Sequence, residues 1–191
     1  MQSGRRELLL AALKDGDECV RHAAAAALER LDICQSFTVL EQKLATGDRH
    51  ERVAAVYSLA LLNSDKSHTL LTALLKDPDA DVRAVAVQML GEKLLPEALS
   101  GLVQCLKDND VAVAVYAAGA LSGYNDERLL PYLETVCRQA GTELSCAALS
   151  AIGKLGFVQS ESFICPYVQD RRPEIRIAAV TALGALRCLA G

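Results

Sequence analysis

A phrase of the same make recurs every 31 residues along this chain. Arg21, Arg52, Arg83 and Arg176 fall in phase, each followed seven positions later by a leucine: Leu28, Leu59, Leu90 and Leu183. Ala114 and Ser145 hold the arginine place in the two remaining copies, whose runs close at Leu121 and Ile152. Self-similarity at a period of 20–50 residues marks a chain built by stacking one supersecondary unit, so burial is shared between neighbours and no single core is needed. The copies fall at about 1–31, 32–62, 63–93, 94–124, 125–155 and 156–187, one array over 1–191.

Two apolar patterns repeat in each copy. The first is an i, i+4 pair: Leu9 and Leu13, Leu40 and Leu44, Leu71 and Leu75, Leu102 and Leu106, Leu133 and Cys137, Ile164 and Val168. Such a pair is the buried stripe of a short helix. A polar turn follows, and Asp17, Asp48, Asp79 and Asp110 stand at its end, where a carboxylate can accept from the open N–H groups of a second helix. Pro173 opens the last of these second helices, where its missing donor costs nothing. Their inward face includes Ala24, Ala55, Ala86, Ala117, Ala148 and Ala179, alanine in every copy. A column that holds only alanine implies close backbone approach. Hydrophobic residues make up 51% of the chain and aromatics only 4%, a balance that suits packed helices and not a sheet. The expected fold is therefore all-α, six two-helix repeats.

Asp17, Arg21, Asp48, Arg52, Asp79, Arg83 and Arg176 form a structural ladder in this reading. Arg21, Arg52 and Arg83 can each pair within the helix, four residues from the capping aspartate, or reach an aspartate of the neighbouring copy. Arg176, by contrast, has Arg172 in the aspartate place, and Asp110 has Ala114 in the arginine place. Gly141 and Ser145 replace both partners together in the fifth copy, as a paired ladder would require.

These residues resemble HEAT repeats, in the short subclass also found in phycobilisome lyases. The stretch Leu75-Lys-Asp-Pro-Asp-Ala-Asp-Val-Arg-Ala-Val-Ala-Val-Gln-Met-Leu90-Gly carries the likeness most clearly. The resemblance implies a right-handed α-solenoid with first helices outside and second helices lining a concave groove. It also implies a protein partner, because such arrays bind through that face. The exposed columns of the second helices then supply the candidate groove: Val53, Tyr57, Ala84, Gln88, Val115, Tyr116, Gly119, Cys146 and Ser150. They are small and mostly apolar. The fourth copy is the extreme, with Val111 to Leu121 free of charge. A tight, well-covered middle repeat and an apolar docking surface are both consistent with that run.

Other function classes find less support. Lys and Arg number 20 against 24 Asp and Glu, a net charge of −4 that argues against phosphate-backbone binding. Seven scattered cysteines contain no C-x-x-C and no zinc spacing, so no metal is expected; free thiols at this density point to a reducing, cytoplasmic setting. His50-Glu51 is the one His-Glu pair, whereas the di-iron hydroxylases of this fold would need several. Catalytic and cofactor residues are expected to be absent. The 11 residues from Val111 to Leu121 are too short to cross a bilayer. The expected role is an adaptor that binds a partner peptide, helix or domain. The alternative is a subunit of a phycobilin lyase or isomerase acting on a chromophore-bearing protein. The last copy ends on an apolar run and the first opens with Leu8-Leu9-Leu10, so further repeats, or self-association, are expected at the ends.

Overall fold

The computed structural model describes residues 2–62 and 64–186, with the side chains of residues 2, 3 and 34 left aside. It is all helix and turn among these residues. The chain divides into two compact units, Met1–Ala55 and Val56–Gly191.

In the first unit α1, Gln2–Ala12, packs against α2, Glu18–Thr46. Asp17 caps α2, its carboxylate accepting from the Cys19 and Val20 amides at 2.7 and 3.3 Å. Here the structure departs from the expected helix pair per copy. The second helix of the first copy and the first helix of the next are one rod of 29 residues. The physical reason is local. The joining stretch, Leu31-Asp-Ile-Cys-Gln-Ser-Phe37, holds no Gly and no Pro, whereas later copies turn at Ser64, at Leu95-Pro96, at Asn125-Asp126 and at Gly156. Phe37 and Leu40 are buried on the far half of this rod. α3, Arg49–Leu62, begins in the first unit and ends in the second; its start carries a capping box, in which Asp48 accepts from the Glu51 amide while Glu51 accepts from that of Asp48.

The second unit repeats in phase. Its second helices are α5 (Ala80–Lys93), α7 (Val111–Leu121), α9 (Thr142–Leu155) and α11 (Pro173–Ala185), and each packs on the next. Shorter helices lie between them: α4 (Asp65–Ala73), α6 (Leu99–Cys105), α8 (Leu130–Gln139) and α10 (Glu161–Ile164), each extended by 3-10 turns. Of the expected stripe, Leu71, Leu75, Leu102, Leu106, Leu133, Cys137 and Ile164 are buried, while Val168 here and Leu9, Leu13 and Leu44 of the first unit are half-buried. So is the alanine column, Ala24 to Ala179, at 3% exposure or less in all six copies. Each fully buried Leu in such a core contributes about 1.5–3 kcal/mol.

How close the second helices come is set at two glycines. A Cβ on Gly91 would lie 2.5 Å from that of Ala120, joining α5 to α7. One on Gly153 would lie 2.6 Å from the Ala182 Cα, joining α9 to α11. Only glycine allows these approaches.

The turn after α5, α7 and α9 also recurs. Leu94, Asn125 and Gly156 all take positive φ, at 52, 48 and 74°, and they are 31 residues apart. The fold demands a left-handed residue there. Gly and Asn meet the demand readily, whereas a leucine is strained by about 1–2 kcal/mol. The hydroxyl of Tyr124 donates to the Leu95 carbonyl at 3.0 Å, bracing the turn that Leu94 makes.

Candidate functional site

The second helices place a cleft of about 500 Å³ on α5, α7 and α9, wholly within the second unit. α5 contributes Gln88, Gly91 and Glu92; α7 contributes Val115, Tyr116, Gly119 and Ala120; α9 contributes Ala147, Ser150, Ala151 and Lys154. Ser122 and Gly123 close one end. Small residues on α7 and α9 make the hollow, because side chains of ordinary length would fill it. Nothing lies within 4 Å of where a Cβ on Gly119 would be, so this glycine faces open space.

Of the residues picked out by sequence, Gln88, Val115, Tyr116, Gly119 and Ser150 are brought together in this cleft. Ala84 and Cys146 are half-buried on α5 and α9, nearer the helix starts, and lie outside it. Val53, half-buried, and Tyr57, exposed, belong to α3. Sequence columns missed Gly91, Glu92, Ala120, Ala151 and Lys154, which carry the hollow one turn further along each helix. The signal for these was present in the glycine at 91 and the alanines at 120 and 151, and reading the face another turn would have found them.

The charge-free run of α7 is divided between two environments. Val113, Ala114, Ala117, Ala118 and Leu121 are buried against neighbouring helices, while Tyr116 is 49% exposed and Val111 is 50% exposed. An exposed tyrosine on a floor of Gly and Ala offers a large apolar ring with a hydroxyl at its rim. Glu92 and Lys154 supply one charge of each sign at the edge.

Three of the cysteine thiols are shifted toward their neutral forms. Burial pushes the Cys105 thiol up to about 11. It also raises Cys137, and Cys146, where Glu174 adds to the effect. Among the described residues, no three His, Cys, Asp or Glu side chains gather as metal ligands would.

Arg21, Arg83 and Arg176 of the arginine column share one motif. Arg21 Nη1 donates to the Asp15 and Gly16 carbonyls at 2.8 and 3.0 Å. Arg83 Nη1 donates to those of Asp77 and Pro78 at 2.9 and 3.2 Å, and Arg176 Nη1 to those of Asp170 and Arg171 at 2.9 and 3.1 Å. Each guanidinium thus ties down the turn that precedes its own helix. Arg83 goes on to the neighbouring copy, where its Nε and Nη2 donate to the two carboxylate oxygens of Asp108 at 2.8 and 2.7 Å. That partner stands two residues before the capping Asp110, which itself accepts from the Ala112 amide. Asp79 likewise caps α5 through the Asp81 amide. Hydrogen bonding to Arg83 holds the Asp108 carboxyl below the usual aspartate range and raises Arg83 in turn. Where the fifth copy has serine, the Ser145 hydroxyl reaches the Cys137 and Ala140 carbonyls at 3.1 and 3.2 Å, one of them in the same turn. A shorter side chain therefore serves a similar end.

With this geometry in view, the likenesses to known proteins can be stated. The family of HEAT repeats matches residues 67–144. No curated protein matches the chain significantly in sequence. In fold, the chain is similar to the complex of CpcE and CpcF of phycocyanin lyase from Nostoc sp. PCC7120, with a TM-score of 0.60 at 20% identity. That match covers 95% of this chain and 64% of the other, so this chain spans under two thirds of its length. Two engineered proteins are also similar, at TM-scores of 0.52 and 0.51 with 17% and 18% identity. They cover 95% and 96% of this chain, and 96% and 58% of theirs. The recurring helix pairs, the buried alanine column and the matched stretch give one conclusion: this is an all-α repeat protein whose residues 67–144 match HEAT repeats and whose fold is similar to that of the phycocyanin lyase chains.

Proposed function

We propose that this protein is a scaffold that holds a helix or peptide of a partner protein in the cleft on α5, α7 and α9. The observation that carries the reading is Tyr116, half exposed above an open floor of Gly119, Ala147 and Ser150 in the middle of the stack. An aromatic anchor ringed by small residues is the usual core of a binding hot spot. A floor of Cβ-poor helices lets an incoming helix approach closely, and Glu92 and Lys154 at the margin would fix its direction by charge. Tyr57, Ala84 and Cys146 belong to the same helix columns of the second unit and extend the proposed surface beyond the cleft itself, whereas Val53 belongs to the first unit. A protein partner is supported by the similar lyase proteins, CpcE and CpcF, which form a complex with each other.

Affinity capture with the parent and with Tyr116→Glu tests this reading. Tyr116 is on the surface, so the variant keeps its helix content. A bound protein retained by the parent should be lost from the variant. Equal retention by both proteins would refute the cleft as the docking site.

The fold likeness to phycocyanin lyase favours a second reading, a subunit of a bilin lyase or isomerase. Its support is the fold alone, at 20% identity. It predicts a change in visible absorption when the chain is mixed with a bilin and an acceptor protein, which a pure scaffold would not give.

A further inference from the structure

We infer that the face of α11 turned away from α9 is a docking surface for a second copy of this chain, seated as one more repeat. This inference is independent of the cleft. Within the second unit, each inter-helix contact of the glycine type uses an i, i+4 pair on the outgoing face. Val87 and Gly91 serve on α5, and Leu149 and Gly153 on α9. Val87 and Leu149 are fully buried, and the glycines receive Ala120 and Ala182 of the next helix. On α11 the same two places are Val180 and Gly184. There Val180 is 56% exposed, and a Cβ on Gly184 would meet nothing within 4 Å. Ile177, on the same helix, is 67% exposed. A helix face that only met water would carry polar residues, as capping repeats do. Here the socket is intact and unfilled among the described residues.

The chain also carries the matching surface. In the incoming helices, an apolar residue and the alanine seven places on face the previous copy: Val113 with Ala120 on α7, and Ile175 with Ala182 on α11. Val113 and Ile175 are fully buried. The same columns on α2 hold Val20 and Ala27, and Val20 is 40% exposed. The occupant that both faces specify is therefore α2 of another copy, continuing the α9–α11 contact. The two faces differ, so the contact is head-to-tail and can propagate.

Sedimentation of the parent, Val180→Glu, Val20→Glu and an equal mixture of the two variants decides the matter. Both positions are already solvent-accessible, so helix content by circular dichroism should be unchanged; Ile177→Lys is a second probe of the α11 face. The parent should associate increasingly with concentration, and each variant alone should remain monomeric. The mixture should form pairs and stop there, because each variant brings one intact face. A parent that stays monomeric at every accessible concentration would overturn the inference. So would a Val20→Glu protein that associates as the parent does, since that pairing would be between two α11 faces.

Discussion

Single side chains decide how one copy grips the next, and Asp108 is the clearest case. It accepts two bonds from Arg83 and one from the Asp110 amide at 2.8 Å, with only 11% of its side chain exposed against 15% for Arg83. Replacing it with Asn keeps an acceptor but turns an amide N–H toward the guanidinium. Asp108→Asn should lower unfolding stability by about 1–3 kcal/mol in urea titration at neutral pH. The pH dependence has a definite sign. A carboxyl held below its unfolded value stabilises fully above the ordinary aspartate range, near pH 4, and loses that contribution as the pH falls. Asp170, held at about 2 by its bonds to Arg172, behaves likewise and loses its share last. The parent should therefore weaken between pH about 4 and 2, and the gap between parent and Asp108→Asn should narrow there. A constant gap would mean that the ion pair carries none of the difference. The arginine column itself could be read from sequence, whereas its partners could not: they are mostly backbone carbonyls, which every residue possesses. Leu94 was opaque for another reason. Leucine does not advertise a left-handed turn, and only its phase with Asn125 and Gly156 reveals one.

Glycines set the spacing of whole helices, and two of them make opposite predictions. Gly153→Ala drives a methyl into the backbone of α11 at Ala182, so it should destabilise by about 1–3 kcal/mol despite the gain in helix propensity. Gly119→Ala meets no atom, and should stabilise by about 0.5–1 kcal/mol. Thermal melts of the pair check both; stabilisation by Gly153→Ala would show that α9 and α11 are not in close contact. The continuous α2 can be tested in the same spirit. Ile33 is 40% exposed, so its side chain is dispensable, yet proline there would break an interior turn and cost about 3 kcal/mol. Near-parental stability of Ile33→Pro would place a turn at this point instead. The period made the helices of the later copies legible because Gly, Pro, Ser and Asp punctuate them. It misled at the first junction, where averaging over copies hid the missing punctuation. The cleft was half legible: columns named its floor, but its length depended on how far the helices run.

At the scale of the whole chain, phase is the organising fact. The 31-residue period places the same apolar, capping and turn positions in successive copies, and in the second unit it makes each second helix the floor for the next. Among the described residues no helix is long and apolar enough to cross a membrane. Fold class followed from sequence because a repeated pattern is stated six times. Function did not, because binding resides in exposed columns that the repeat leaves free to vary. Hydrogen exchange across residues 56–186 tests the phase most directly. Protection should peak at the buried core positions Leu90, Leu121 and Ile152, 31 residues apart, and fall to minima at Asp77–Asp79, Asp108–Asp110 and Gln139–Gly141. Protection that fails to recur at that spacing, or rapid exchange at those three core amides, would contradict the stacked-repeat account.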